Sequence, residues 1–405
     1  MPNEWKQVQL KELISTLDSG VSVNAEDYPT DNTGYGVLKT SSVANGYFYP
    51  NENKKIKKNE IKRAKLNPKK GSIIVSRANT PELVGEVGYV DQDYENLFLS
   101  DKLWQTSLRE SVDGLWLVSV LTSQEIRNKV KVLATGTSSS MKNISKENFL
   151  SLSTMLPGYN EQRKIGKIAM IFDKALELKG RYIEKKREQK KGLMLTLLTG
   201  KMRLPGFESE WGYVPLREIL QVRNEKSVIT EELPLFSLTI EDGVTAKTNR
   251  YNREFLVKSD NKKYKISRKG DIVYNPSNLR FGAIALNKVD HPLLLSPIYE
   301  ILYIRDKEQY HLEFLTQLLT SDRQIKKFSA KAEGTLVERM AVKIDAFLET
   351  DIYIPFDIDE QSKIAEVLSV IDRQINLLRS ELEELKLQKQ GLMQLLLTGK
   401  VRVKV

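Results

Sequence analysis

The sequence predicts an α+β fold made by tandem duplication. Two mixed α/β domains are separated by two long helices, which form an intramolecular antiparallel coiled coil with pseudo-twofold symmetry. The first observation behind this is a repeated phrase: "KGLMLTLLTGKMRL" (Lys191 to Leu204) returns as "QGLMQLLLTGKVRV" (Gln390 to Val403). The second is that the match extends backwards without a gap. Glu161-Gln162 falls on Glu360-Gln361, 199 residues on, followed by Ile165 on Ile364, Asp173 on Asp372 and Lys190 on Lys389. Only two copies exist, which excludes a solenoid.

The order is a globular domain over 1–155, a helical region over 156–204, a second globular domain over 205–353 and a second helical region over 354–405. The globular parts resemble each other more weakly. "WKQVQLKELI" (Trp5 to Ile14) matches "WGYVPLREIL" (Trp211 to Leu220), and Phe149-Leu150 corresponds to Phe347-Leu348. In the first domain "GSIIVSRANTPELVGEVGYV" (Gly71 to Val90) reads as strand, polar loop, strand. "GDIVYNPSNLRFGAIAL" (Gly270 to Leu286) reads the same way in the second. "GLWLVSVLTSQEIRNKV" (Gly114 to Val130) and "HLEFLTQLLTSDRQIKKF" (His311 to Phe328) have the period of amphipathic helices.

The helical regions carry a heptad seam. In the second copy it runs through Ile364, Leu368, Ile371, Ile375, Leu378, Leu382, Leu385 and Leu392, with Lys389 as the polar exception. The first copy keeps the frame with Ile165, Ala169, Phe172, Leu176, Ile183, Leu193 and Leu197, but sets Lys179, Lys186 and Lys190 on the seam. Such seams also suit domain spacers or homodimer zippers. The duplication and the short linker "RLPGFESEW" (Arg203 to Trp211) favour pairing within one chain. Lys185-Lys186-Arg187 are then expected to face Glu381, Glu383 and Glu384. Asp357 and Glu360 have capping-box spacing, and Gly399 stands where a helix would stop.

Composition narrows the function. The 405 residues are 40% hydrophobic and 29% charged, as in a soluble globular protein of two or three domains. No apolar run approaches the roughly 20 residues of a membrane span, and the N-terminus lacks a signal-peptide core. The absence of cysteine excludes disulfides and thiolate metal sites and fits a cytoplasmic protein. A formal net charge of +10 favours nucleic acid or anionic lipid as partner, unless it reflects a lysine-rich proteome.

No catalytic pattern survives inspection. "LLTGKM" and "LLTGKV" lack the first glycine and the final Ser or Thr of a phosphate loop; a helix C-cap with a basic last turn explains them better. "YNPSN" (Tyr274 to Asn278) is similar to the Asn-Pro-Pro-aromatic loop of amino-methyltransferases, but Ser277 and Asn278 stand where proline and the aromatic are needed. His291 and His311 alone make a zinc site or a Ser-His triad improbable. No metal site and no catalytic residue is expected in this chain.

A helix over about residues 160 to 198 spans roughly 58 Å at 1.5 Å per residue. That exceeds one DNA turn of about 34 Å, so diverged domains at its ends suit two different half-sites. The strings "NEQRKIGKIAMIFD" (Asn160 to Asp173) and "DEQSKIAEVLSVID" (Asp359 to Asp372), with the "GLM…LLTGK" tails, resemble the specificity subunit of type I restriction–modification systems. The resemblance covers the whole chain. It implies a non-catalytic subunit whose two target-recognition domains bind double-stranded DNA. Its helices would hold two methyltransferase (modification) subunits, joined by two restriction/translocase subunits. S-adenosylmethionine, ATP and Mg are then expected in the partner subunits and no cofactor in this chain. Partner contacts are expected at Glu161, Gln162, Ile165, Glu360, Gln361 and Ile364. The alternatives are a stand-alone DNA-binding regulator and a protein-binding scaffold.

Base readout needs Arg or Lys against guanine and Asn or Gln against adenine. Arg77 and Asn79 in the first half, and Asn275, Asn278 and Arg280 in the second, lie in corresponding loops and are the candidates for it. Lys54, Lys55, Lys57, Lys58, Lys262, Lys263 and Lys265 are the candidates for phosphate contact, on charge grounds.

Overall fold

The computed structural model describes residues 5–31, 34–138, 141–246, 262–334 and 340–404. It forms two compact units, residues 1–181 with 380–405 and residues 182–379, so each long helix divides between the two.

The same antiparallel strands recur at the centre of each unit. In the first, Leu103–Leu108 lies between Ile14–Ser19 and Ile73–Ser76, and Val87–Tyr89 pairs with the far edge of Ile73–Ser76. In the second, Glu300–Ile304 lies between Leu220–Val222 and Ile272–Tyr274, with Ile284–Leu286 beyond. The runs Ile73-Ile74-Val75 and Ile272-Val273-Tyr274 are apolar throughout because both of their faces are covered, and all six side chains are buried. The strand–loop–strand readings therefore hold.

The two amphipathic stretches differ from the expectation in one respect: each is a pair of short helices. Gly114–Leu121 is followed by Gln124–Leu133, and Leu312–Leu319 by Asp322–Ala330. The break has a local cause. Ser123 and Ser321 leave the helical conformation and cap the next helix by accepting from the amides of Ile126 and Gln324. Asp113 and His311 cap the helices before them. One of the two histidines is thus a structural cap.

The long helices run over Tyr159–Leu197 and Ile358–Leu397. Asp357 caps the second, its carboxylate accepting from the Asp359 amide at 2.8 Å and the Glu360 amide at 3.4 Å. Only this half of the expected capping box forms, because the Glu360 carboxylate is taken by Arg203. Gly200 and Gly399 end the helices with φ of 69° and 71°, where a side chain would be strained and would also press on Trp211 or Trp5.

Within each unit the helix segments pair antiparallel. In the first, Lys179 binds Glu381 at 2.5 Å and Lys389 binds Asp173, while Ile165, Ala169, Met393 and Leu396 join the domain core. In the second, Lys190 binds Asp372 at 2.7 Å, and Leu197, Ile364, Ala365 and Leu368 join that core. Three of the four seam lysines, Lys179, Lys190 and Lys389, thus find aspartate or glutamate beside the seam, and Asp173–Lys389 and Asp372–Lys190 are one contact made twice. Lys185-Lys186-Arg187 and the glutamates expected to face them belong to different units, and Lys186, Arg187, Glu381 and Glu383 have other partners within their own units. Arg187 binds Glu184, Lys186 lies over Tyr182, Glu381 takes Lys179 and Glu383 takes Lys386. Pairs one turn apart on a helix need no ordering of a distant chain.

Candidate nucleic-acid interface

The segment after Ile73–Ser76 carries Arg77 and Asn79, the latter in a short strand, Ala78–Asn79, that pairs antiparallel with Met141–Asn143. The Arg77 backbone is fixed on both sides, its amide donating to Lys102 O and its carbonyl accepting from the Ile144 amide. Its guanidinium lies 5.9 Å from the centroid of the buried Trp104 ring, and its Nε is buried without a hydrogen-bond partner. Asn79 is engaged locally: it donates to Ser76 Oγ at 3.3 Å and accepts from the Thr80 amide at 2.9 Å.

The corresponding loop of the second unit follows Ile272–Tyr274. Asn275 accepts from the Ser277 amide at 3.1 Å, which folds the loop back on itself. Asn278 is exposed and precedes a short 3-10 turn, Leu279–Phe281. Arg280 lies 4.6 Å from the exposed Phe281 ring, and its Nε too is buried without a partner. Val342 donates to Pro276 O as Ile144 does to Arg77 O, so the same main-chain clamp holds both loops.

The lysine candidates divide. Lys57, Lys58, Lys262 and Lys263 are exposed. Lys54 is paired with Asp27 at 2.7 Å and Lys55 with Asp31 at 3.1 Å. Lys265 is a correction: it is buried within a strand, and its ammonium is held by Glu300 at 2.7 Å and Tyr299 O at 2.8 Å. A cation already neutralised inside the fold is unavailable to phosphate.

The six helix residues expected to meet partners are also corrected. Glu161, Gln162, Ile165, Glu360, Gln361 and Ile364 are all at most 3% exposed. They join each domain to its helix. Gln162 accepts from the Asp113 amide and donates to Ser111 O and Pro157 O. Gln361 repeats this with His311, Gln309 and Pro355. Glu161 takes Arg402 through two hydrogen bonds of 2.7 and 2.8 Å, and Trp5 Nε1 at 2.9 Å. Glu360 takes Arg203 at 2.6 and 2.8 Å, and Trp211 Nε1 at 3.3 Å. Sequence reasoning passed over both arginines and tryptophans, although each pair recurs in the repeat: Arg203 and Arg402 follow the "TGK" phrases, and each Trp opens a domain.

The joint in the first unit is acid-sensitive. Burial alone would raise the Glu161 carboxyl, but hydrogen bonds from Arg402 and Trp5, the Arg402 charge and the Val403 amide outweigh it and hold the carboxyl below its usual range. A carboxylate depressed in the folded state stabilises fully above its unfolded pKa, and the benefit is lost as pH falls through the folded value. Thermal melts of the native chain should therefore lose stability below about pH 4.5, the ordinary carboxylate value. Glu161→Gln should flatten that part of the profile, and an unchanged acid slope would show that the joint does not contribute to it.

Among the described residues no His, Asp and Glu cluster is suited to a metal, and no helix is long and apolar enough to cross a membrane. Two diverged loops, each carrying an arginine, on a repeated scaffold define a protein that presents two different surfaces from one duplicated framework. The family model described as type I restriction modification DNA specificity domain matches twice, over residues 2–186 and 208–387, and the chain belongs to that family.

Two similar proteins come from Methanocaldococcus jannaschii. The type I restriction enzyme MjaVIII specificity subunit is 25% identical over 425 aligned residues, covering 100% of this chain and 94% of that protein. The putative MjaX specificity subunit is 26% identical, covering 100% and 95%. Among solved structures, the type I restriction–modification S subunit from M. genitalium aligns over 97% of this chain and 96% of its own length, with a TM-score of 0.59 at 18% identity. A chain from a structural study of complex assembly and conformational transition in the type I system aligns over 99% of both, with a TM-score of 0.61 at 17% identity. At these identities the structures speak for the fold.

Proposed function

We propose that this chain is the non-catalytic, DNA-reading subunit of a type I restriction–modification complex and binds an asymmetric bipartite target. Residues 1–155 read one half-site and 205–353 the other, while the helical regions 156–204 and 354–405 dock two copies of one methyltransferase subunit. The observation that supports docking is an exposed apolar pair that the duplication repeats. Ile171 and Leu178 on the first helix are 63% and 52% exposed; Val370 and Leu377, each 199 residues on, are 37% and 61% exposed. Seven residues are close to two helical turns, so each pair shares a face about 10 Å long. The same apolar pair presented twice suits two copies of one partner. In this reading S-adenosylmethionine, ATP and Mg are held by the methyltransferase and the two translocase–nuclease subunits, and the complex works in the cytoplasm.

The test is a methylome. The chain is co-expressed with its neighbouring methyltransferase in a methylation-free host, and methyladenine is mapped by long-read sequencing. A bipartite motif that vanishes when this chain is omitted supports the reading. No new methylation, despite a stable complex and salt-dependent DNA binding, would favour a stand-alone regulator. Docking has its own readout: Ile171→Lys with Leu178→Lys should lower the mass of the complex by one methyltransferase. The matching change at Val370 and Leu377 should remove the other, and retention of both subunits would sink the assignment.

A further inference from the structure

The two loops share a feature that neither charge nor fold requires. Five arginines among the described residues are half-buried: Arg77, Arg127, Arg203, Arg223 and Arg280. Three are neutralised by carboxylates, Arg127 by Glu86, Arg203 by Glu360, and Arg223 by Asp271 and Glu225. Arg77 and Arg280 have no ion pair and no side-chain hydrogen bond to any described residue, and both leave Nε buried and unpartnered. These two sit in corresponding loops, between strands Ile73–Ser76 and Val87–Tyr89 and between Ile272–Tyr274 and Ile284–Leu286. A half-buried cation without acceptors is costly, and a fold that retains one in each of two corresponding loops is holding it for an acceptor from outside.

We infer that Arg77 and Arg280 are the guanine-reading side chains of the two half-sites. This inference rests on the proposed function. Three points select a base edge over phosphate. Each guanidinium is steadied by a ring, Trp104 at 5.9 Å and Phe281 at 4.6 Å. That limits the rotamers available and suits a directional, bidentate contact. Each loop is clamped through its backbone, by Ile144 in one unit and Val342 in the other, so the fork is presented by a fixed frame. The exposed lysines Lys57, Lys58, Lys262 and Lys263 already supply mobile charge suited to the backbone. A planar fork of donors matches guanine O6 and N7 in the major groove and no other base edge as well. Each half-site therefore contains a guanine read by one of these residues.

The experiment uses the full chain with its methyltransferase and a duplex carrying the methylome motif, with single guanines replaced in turn by 7-deazaguanine, which lacks N7. Arg77→Ala and Arg280→Ala remove the fork and, unlike a lysine, leave no donor for guanine. For the native complex, one substitution in each half-site should weaken binding by about tenfold. The first of these penalties should vanish in Arg77→Ala and the second in Arg280→Ala, with each variant relaxed at that base alone. If both variants weaken every sequence alike, or if the 7-deazaguanine penalties persist in them, the arginines contact phosphate and the inference fails. A preparation with no motif at all would instead overturn the proposed function. Circular dichroism matched to the native chain guards against misfolding.

Discussion

Phe347→Ala is expected to cost about 3–5 kcal/mol and to blind the second unit while leaving the first intact. The Phe347 ring is fully buried between Tyr274 and Phe328, stacked on them at centroid distances of 4.5 and 4.8 Å. Its removal leaves a cavity that three rigid elements cannot close together. The position matters for function because Tyr274 is the last strand residue before the loop of Asn275, Asn278 and Arg280, and its hydroxyl donates to Val342 O. Val342 in turn clamps that loop through Pro276 O. A cavity at Phe347 thus loosens both supports of the loop at once. Hydrogen exchange should show lost protection at Ile272–Tyr274 and Asp322–Ala330, with Ile73–Ser76 and Gly114–Leu121 unchanged. In a methylome the motif should keep its first half and lose its second. Uniform loss of protection across both units would show that the stack supports the whole chain and not this loop.

The sequence reveals the helices better than their joints, for physical reasons that particular residues illustrate. Ile364, Leu368, Ile371 and Ile375 declare a buried stripe because apolar periodicity is a direct image of burial. Glu161, Gln162, Glu360 and Gln361 read as contact surface only through the resemblance, and as residue types that are mostly exposed they give no local sign of burial. The burial of Gln162 and Gln361 depends on backbone groups at Ser111, Asp113, Gln309 and His311, about fifty positions earlier, and that of Glu161 and Glu360 on arginine and tryptophan side chains still farther off in the chain, which no local pattern encodes. The seam lysines were visible as exceptions, but Asp173 and Asp372 lie off the apolar stripe, so their role appears only with the antiparallel register. Lys265 shows the same limit. Beside Lys262 and Lys263 it reads as part of one basic run, yet the strand Tyr264–Ser267 is covered on both faces and turns it inward toward Glu300. The loops of Arg77 and Arg280 were legible because strand, polar loop and strand is a local signal. That those arginines lack a counter-ion among the described residues is visible only in three dimensions.

Arg203→Ala is expected to destabilise more than Glu360→Gln, although the two residues form one pair. The Glu360 side chain is fully buried, whereas that of Arg203 is 31% exposed. Without Arg203, a carboxylate is stranded inside the joint with only Trp211 Nε1 at 3.3 Å, a loss of about 3–5 kcal/mol for an uncompensated buried charge. Without the carboxylate charge, Arg203 can turn its exposed edge to water and keep its place over the Trp211 ring, 5.8 Å away, so Glu360→Gln should cost only about 1–3 kcal/mol. The double variant should then be more stable than Arg203→Ala alone, because the second change removes the stranded charge that the first creates. Urea unfolding of the three variants measures this directly, and additive losses would mean that the two residues act independently. The equivalent pair in the first unit predicts the same order with Arg402→Ala and Glu161→Gln. Arg402 is 43% exposed and Glu161 3%, so both partners there keep more water and the asymmetry should be smaller. A larger effect at Glu161 than at Glu360 would contradict burial as the cause and point instead to the Trp5 side of the joint.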